Sequence, residues 1–568
     1  MGYAALDANT TGGSNVGIGS SAIGANTTGA NNVAVGYNAL LANTSANYNS
    51  AFGERAMSAN TTGANNTAIG SQALLANTTG TQNIALGYGA LVANTTASYN
   101  TALGYNTLAG NTTGANNVAV GYNALDANTT ASNNAAVGSG ALGANTTGTG
   151  NVSVGTNSMV LNTEGSYNAT VGYSALDANT TGANNTAIGY ATLGANTTAS
   201  NNVAVGYNAL NDNTTADSNT AVGANALATN TTGTLNNAFG VNSLDANTTG
   251  NTNVAMGYAA LGSNTTASAN VAIGHDAMVA NTTGANNTAV GFQALDANTT
   301  ASTNTAVGES ALINNTTGAS NTAVGQSALN ANTTGTPNVA VGFEAMKANT
   351  TGASNVAVGY NALTANTTAA SNVAVGSSAL AANTTGTFNI GIGSSAVDGL
   401  TTGIQNIGIG GNVMGGAAIT GNFNVAIGQN AMYLLTTGQY NVGIGVHALD
   451  AMTTASYNTA VGTHALGVNT TGASNVAVGA YALDANTTAA NNAAFGYDAL
   501  GANTTGAGNT ALGAYALDAN TTAANNVAVG YNALTGNIEG ADNVAVGYNA
   551  LPVNTVAGST GVGANALN

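Results

Sequence analysis

The chain has no cysteine. That excludes disulfides, thiolate metal sites and a cysteine nucleophile. Cationic side chains are nearly as scarce: Arg55 and Lys347 are the two, against 19 acidic ones. Such a surface cannot grip phosphates, so no nucleic acid partner is expected. Charged residues make up 4% of the sequence, where ordinary globular domains carry about a quarter. Solubility must rest on Asn, Thr and Ser. No apolar run approaches the roughly 18 residues that cross a bilayer, so no membrane span is expected in this segment. No Ser-His-Asp or paired-carboxylate constellation is detectable, and a repeated surface offers no unique cleft. Neither an enzyme nor a cofactor is expected.

What the sequence has instead is one phrase, repeated. "GANTTGANNVAVGYNAL", residues 24–40, recurs in close copies from end to end. The Asn of "NTT" falls at Asn9, Asn26, Asn43 and Asn60, a step of 17 residues. The Gly closing "VAVG" keeps that step from Gly19 to Gly410, then slips one residue late at Gly428 and one early at Gly563. A period of this size means a repeat architecture. About 33 repeats fill residues 1–568 with no linker or composition shift, so a single continuous array is expected. Residues 397–455 form a degenerate, more apolar stretch within it. The chain opens on no secretion signal. Met1 occupies the apolar slot before the Gly, as "MGYAALDANTTG" matches "MGYAALGSNTTA" at Met256–Ala267, and the chain stops in mid-repeat at "GVGANALN". An excerpt of a longer protein is therefore expected.

Within each repeat two runs read as strands. "NVAV" (32–35) alternates and always ends in Val, Ile, Leu, Phe or Met, while "YNAL" (37–40) nearly always ends in an aliphatic residue. Both are too short for helices, and β-branched residues favour strand. Gly36 between them marks a bend. "DANTTGAN" is turn chemistry, tolerant of positive φ. One coil per repeat gives an all-β fold, a parallel β-solenoid or β-roll. Strands about 4.8 Å apart make about 160 Å of coils. The residue before the Gly, such as Val35, and the Leu of "NAL", such as Leu40, are expected to face inward in columns.

The Asn before the first strand recurs almost without exception: Asn15, Asn32, Asn49, Asn66, Asn83, Asn100 and onward. Placed once per coil, such amides can bond to the coils on either side, as in stacked-strand ladders. A structural Asn ladder is expected. A second column, five residues after the Gly, holds Asp7, Asp126, Asp177, Asp245, Asp296, Asp398, Asp450, Asp484 and Asp518, no two in adjacent coils. Spacing avoids facing like charges and leaves too few converging oxygens for calcium. His447 and His464 share a column one coil apart. They could approach one metal, but with no third ligand evident no metal site is assigned. Tyr runs such as Tyr88, Tyr105, Tyr122 and Tyr173, Tyr190, Tyr207 read as self-stacking ladders, with sugar platforms as the alternative.

"NTT" also fits the acceptor pattern for N-glycosylation, on residues such as Asn9, Asn26, Asn60 and Asn281. One stretch tests that reading. There the Asn slot reads Leu400, Ala418, Leu435 and Met452, while the following Thr mostly remain. Leu and Met suit a buried slot. The Asn column is therefore expected to face inward or cap a turn, with its Thr bonded to neighbouring coils and most Asn unmodified. The competing reading makes Leu400, Leu435 and Met452 a sugar-free docking patch.

"NNVAVGYNALDA" resembles the head-domain repeat of trimeric autotransporter adhesins, which reads close to "NSVAIGxxAxA"; Asn32, Val33, Val35 and Gly36 match its consensus positions. Similar repeats occur in phage tail fibres. The resemblance implies a left-handed parallel β-roll, three chains packed together, displayed on a bacterial surface to bind host matrix or cells. The chain departs from that family in its longer repeat, with "NTTG" as extra turn residues, and it carries no heptad stalk or anchoring barrel. The expected function is an extracellular or cell-surface structural and adhesive fibre, a homo-oligomer or filament that contacts cell-surface or matrix ligands or glycans. The alternatives are a phage tail-fibre shaft, on a virion surface, and an ice-binding or carbohydrate-binding repeat. Adjacent Thr such as Thr27 and Thr28 point to opposite faces, which counts against a flat ice-binding array.

Overall fold

A computed structural model describes residues 2–416 and 418–567; Met1 and Asn568, and with them the reading of Met1, lie outside the described residues. The chain divides into two units, Met1–Ala285 and Asn286–Asn568. Both are parallel β-solenoids, as the repeat predicts, with no helix among the described residues. In the first, one short strand per coil runs from β1 (Val16–Ile18) and β2 (Val33–Val35) through to β16 (Val271–Ile273). In the second they run from β17 (Thr288–Val290) to β33 (Thr560–Val562). Within each unit, each strand pairs in parallel with the next, at a step of 17 apart from two slips, as in Val16↔Val33 and Ala34↔Ala51.

The two slips seen in the sequence are absorbed outside the ladder. Between β24 (Ile407–Ile409) and β25 (Val425–Ile427) the step is 18, as Ile407↔Val425, and between β32 (Val544–Val546) and β33 it is 16, as Val544↔Thr560. Pairing stays in register because side chains alternate faces with period two. A one-residue slip inside a strand would turn every side chain over.

Only one of the two expected strands forms. "NVAV" supplies it; "YNAL" runs instead as a chain of turns. Asn38 and Leu40 take left-handed φ of 56° and 54°, and Asn31 takes 59°. A bulky residue at positive φ is uncommon, yet Leu repeats it coil after coil. The alternation aims successive N–H groups along the stack. Asn38 N–H donates to Ser20 O of the preceding coil at 3.0 Å, and Leu40 and Ala42 donate to Ala56 O and Ser58 O of the following coil at 2.9 Å each. Inter-coil hydrogen bonds thus hold a conformation that Leu alone would not choose. Positive φ falls here and at Asn31, not along "NTTG". Gly36, at φ 138°, is the bend: a Cβ there would collide with the Gly53 carbonyl of the next coil.

The strand also faces the other way from expectation. Its middle residue points inward: Ala34 is fully buried, while Val33 and Val35 are half-buried on the outer face. Elsewhere the pre-Gly residue is plainly exposed, as with Ile18 at 50% and Leu86 at 42%. The expectation that Val35 faces inward is therefore corrected; that for Leu40, fully buried, holds. The interior of each coil is narrow. It holds one large aliphatic side chain, as Leu40, with Ala34, Ala39, Asn26 and Asn32 around it. Leu40 already fills the space that an inward Val35 would need, so the strand presents its smallest residue to it.

Candidate functional site

The most regular chemistry of the chain lies inside it. Two Asn columns run through the coils, and they bond differently. In the pre-strand column, Asn32 Oδ1 accepts the backbone N–H of Asn49 at 2.9 Å, and Asn32 Nδ2 donates to Ala46 O at 2.8 Å. The expected ladder is present, and in most coils the amide satisfies a backbone donor and a backbone acceptor of the next coil, Asn304 Nδ2 and Asn526 Nδ2 being exceptions. Asn49, Asn66, Asn83 and Asn100 are fully buried in it. Asn15 joins it with its Nδ2 on Gly29 O at 2.7 Å.

The "NTT" column is a second ladder. Asn43 Nδ2 donates to Asn26 Oδ1 at 2.7 Å, and Asn26 Nδ2 to Gly29 O of its own turn at 2.9 Å. Asn26, Asn60 and Asn281 are fully buried; Asn9, in the first coil, is partly exposed. The first Thr bonds onward, as Thr27 Oγ1 to Thr44 O at 3.0 Å. The inward, capping placement expected for this column is what the coils adopt.

The break in that column is equally internal. Leu400, Leu435 and Met452 are fully buried. The competing reading of a docking patch does not fit this burial: they stand in place of interior amides. In the coil with the extra residue the slot is taken by Ile419, which bridges to Leu400 and is fully buried, whereas Ala418 is exposed. The slip displaces the register by one, which the strict 17-residue count cannot see.

Exposed chemistry is sparser. Tyr88–Tyr105–Tyr122 stack at 5.3 and 5.5 Å between centroids, and Tyr173–Tyr190–Tyr207 at 5.5 and 5.4 Å. Neighbouring rings cover the ring faces, so these runs are self-stacking ladders, and no face is left for a sugar inside them. His447 and His464 also stack, at 5.0 Å, and His447 Nδ1 lies 2.9 Å from Asp450 Oδ2. His275 stacks on Tyr258 and pairs with Asp276 at 3.0 Å. Among the described residues no group of three His, Cys, Asp or Glu is placed to hold a metal.

The Asp column carries a pattern that the spacing argument only half catches. Each Gly of the column, Gly24, Gly143, Gly194, Gly262, Gly415, Gly467 and Gly501, follows an Asp one coil earlier. Asp126 Oδ1 and Asp245 Oδ1 each lie 3.4 Å from where a Cβ of the following Gly would stand. The carboxylate leans over a bare backbone, and the resulting desolvation raises the pKa of Asp126, Asp177, Asp245 and Asp398 above the ordinary carboxylate value. Around Asp126 the missing side chains of Gly140 and Gly143 leave a shallow notch of about 400 Å³, bordered by Val160 and Leu161.

In one place the charges do not stay apart. Asp498 stands in a different column, two residues after its Gly, but its carboxylate reaches over Gly501 and fills the gap between Asp484 and Asp518. A Cβ on Gly501 would collide with Asp498 Oδ1 and lie 3.1 Å from Asp518 Oδ1. Desolvation and then repulsion from Asp498 raise Asp518, and both also raise Asp484, against a lowering by His464. Reading one column at a time misses this cluster. Counting charges per coil across columns would have found it. No protein-family model matches the chain, and no curated protein is significantly similar to it.

Proposed function

We propose that this segment is a non-catalytic structural and adhesive fibre, displayed extracellularly or on a cell or virion surface, and assembled side by side with copies of itself. The observation that carries this reading is the outer face of the strands. In β1 both flanking residues are solvent-exposed, Val16 at 45% and Ile18 at 50%. The same two apolar or Thr columns recur through the first unit, interrupted only by Ser50 and Asn237. A contiguous apolar surface of this extent is more than a monomeric soluble protein ordinarily leaves uncovered. A second copy carries the same columns at the same spacing, so copies packed in register cover one another residue for residue. The resemblance to adhesin head repeats supports surface display and contact with matrix or cell-surface ligands. The enclosure of the "NTT" amides supports a fibre without N-linked sugars on those residues.

Light scattering of the purified chain tests the assembly. A multimer is expected, and Ile69→Lys with Leu86→Lys, on the outer columns, is expected to shift it towards monomer without loss of β-structure. A monomer at high concentration, or a variant that assembles as well as the parent, would overturn the reading.

A further inference from the structure

The outer strand columns carry a size pattern. In each strand the first and third residues face outward and the middle one inward, as in Val33, Ala34 and Val35. In the first unit the first residue is Val, Ile or Thr except at Ser50, Ala135, Ala169 and Asn237. The third residue is Phe in two strands, at Phe52 and Phe239, and these are the strands of Ser50 and Asn237. In the second unit Ala493 is the one departure from Val, Ile or Thr, and the one Phe of the outer column, Phe495, stands in its strand. Every outer-column ring thus has a small or unbranched residue beside it on the same face. Phe52, Phe239 and Phe495 are 39%, 38% and 40% exposed, so the rings stand on the face and do not fold away from it.

Water sets no such condition on a surface ring. Close packing does: where large side chains meet a second surface, smaller ones must face them. A second copy supplies them if it is turned about an axis parallel to the stack. That rotation keeps each coil at its own level and reverses the strand direction. First residues then lie over third residues of the same coil, so Phe52 lies over Ser50 of the second copy, and Phe239 over its Asn237. Rotation about an axis along the strands would instead reverse the order of coils and set third residue over third residue, with nothing small opposite a ring.

Charge and area agree with this. Neither outer column holds a charged residue in either unit, while the chain carries a net charge of −17. On this face two copies meet without opposing carboxylates. In the first unit alone, sixteen strands spaced about 4.8 Å, each about 10 Å wide, present about 760 Å². A stable interface takes about 800 Å² from each partner.

We infer that copies pair in parallel and in register about a two-fold axis along the stack, with the Phe strands as register marks. A slip of one coil sets Phe52 over Val33 or Thr67, both larger than Ser50. The inference rests on the side-by-side assembly proposed above and adds its direction and level.

Exchanging the marks tests it. The exchanged chain carries Ser50→Phe with Phe52→Ser, Asn237→Phe with Phe239→Asn, and Ala493→Phe with Phe495→Ala. The two-fold restores the fit within a pair of exchanged chains, so they are expected to assemble to the parent's mass in light scattering. Against the parent, ring meets ring and small residue meets small, which overpacks one side and leaves a void on the other. Co-expressed with exchanged chain, tagged parent is expected to retain at least tenfold less of it than of untagged parent. Free mixing, or a folded exchanged chain that stays monomeric, would overturn the pairing; a monomeric parent would overturn the assembly itself. A second measurement does not depend on the exchanged chain. The protein has no cysteine, so Val33→Cys and Val271→Cys, far apart in the first unit, report position. A bismaleimide spanning the roughly 10 Å between packed sheets is expected to cross-link each variant to itself and not to the other. Cross-links formed only between the two variants, or absent from either alone, would overturn the parallel register.

Discussion

Coils 315–383 and coils 400–452 of the second unit fill the same interior slot with opposite chemistry. In the first stretch the slot holds Asn, and each amide donates to the one before it, as Asn332 to Asn315 at 2.8 Å and Asn349 to Asn332 at 2.9 Å. In the second it holds Leu400, Ile419, Leu435 and Met452, all fully buried. The pre-strand ladder nevertheless runs unbroken through both. Asn406 N–H still donates to Asn389 Oδ1 at 2.9 Å, and Asn424 N–H to Asn406 Oδ1 at 3.1 Å. The difference lies in what each ladder satisfies. "NTT" amides mainly satisfy one another, and the carbonyl they share has a second donor: Gly403 O keeps Asn389 Nδ2 at 2.8 Å although Leu400 offers nothing. Pre-strand amides satisfy backbone N–H groups, which no substitution elsewhere can remove. A self-contained polar network can be exchanged as a block for apolar residues, whereas one that serves the backbone cannot.

The apolar block also adjusts its volume. Val413 stands where most other coils have Ala, and mid-strand Ala gives way to Gly391, Gly408 and Gly443. A Cβ at Gly408 would lie 3.1 Å from Val413 Cγ1 and would collide with Val397. Larger residues on one wall are met by smaller ones on the other, as close packing requires.

The sharpest test of the comparison removes one pre-strand amide in each stretch. Asn338→Ala strands the N–H of Asn355, but Gly352 O keeps Asn349 Nδ2 at 3.1 Å. Asn406→Ala strands the N–H of Asn424 and also Gly421 O, because Ile419 has no amide to offer. At about 1–3 kcal/mol per stranded buried group, the cost is about 1–3 kcal/mol at Asn338 and about 2–6 kcal/mol at Asn406. Local opening energies from native-state hydrogen exchange are the measure, since a long array need not unfold as one step. Equal costs would mean that the "NTT" amides give no backup to the carbonyl.

A smaller effect marks the boundary between the stretches. Asn383 Oδ1 has no partner, because Leu400 follows it. Asn383→Leu only moves that orphan one coil back, to Asn366, whose Oδ1 now accepts from Asn383 at 3.3 Å. Asn332→Leu, in mid-ladder, creates a new orphan at Asn315. The expected costs are within about 1 kcal/mol for Asn383→Leu and about 1–3 kcal/mol for Asn332→Leu. The same exchange assay decides it, and a reversed order would sink the boundary argument.

Much of this is legible in the sequence. The 17-residue step, the parallel coils, the Asn ladder and the inward "NTT" column follow from Asn32, Asn26 and the apolar gap at Leu400. The strand's facing is not. In "VAV" the constant, bulky Val35 reads as core and Ala34 as filler, and only the width of the coil, set by Leu40, reverses them. "YNAL" departs from the expected strand for a related reason. Residue preferences describe single residues, and Leu40 at φ 54° is held by bonds to the coils above and below. Asp498 escaped because its carboxylate acts in a column other than its own.

The smallest expected effect is electrostatic, and it separates the coils below the apolar block from those above it. Asp398 enters the block with its pKa raised mainly by desolvation, against lowering by Ser395 and the backbone. Asp518 adds repulsion from Asp498 to the same desolvation, whereas at Asp484 a lowering by His464 comes ahead of that repulsion. For an acid with a raised folded-state pKa, the folded coil binds its proton more readily than the unfolded chain does. Its stabilising contribution is fully present below the ordinary carboxylate value and is lost as pH rises through the raised one. Lowering the pH from neutral towards about 4 should therefore stabilise these coils, opposite to the usual acid denaturation of paired carboxylates. The gain should be larger at 518 than at 398, and Asp498→Asn should shrink it there while leaving 398 unchanged. Protection factors, corrected for the intrinsic pH dependence of exchange, would show this; a uniform loss of protection on acidification would mean that these carboxylates are stabilised, not strained, by their burial.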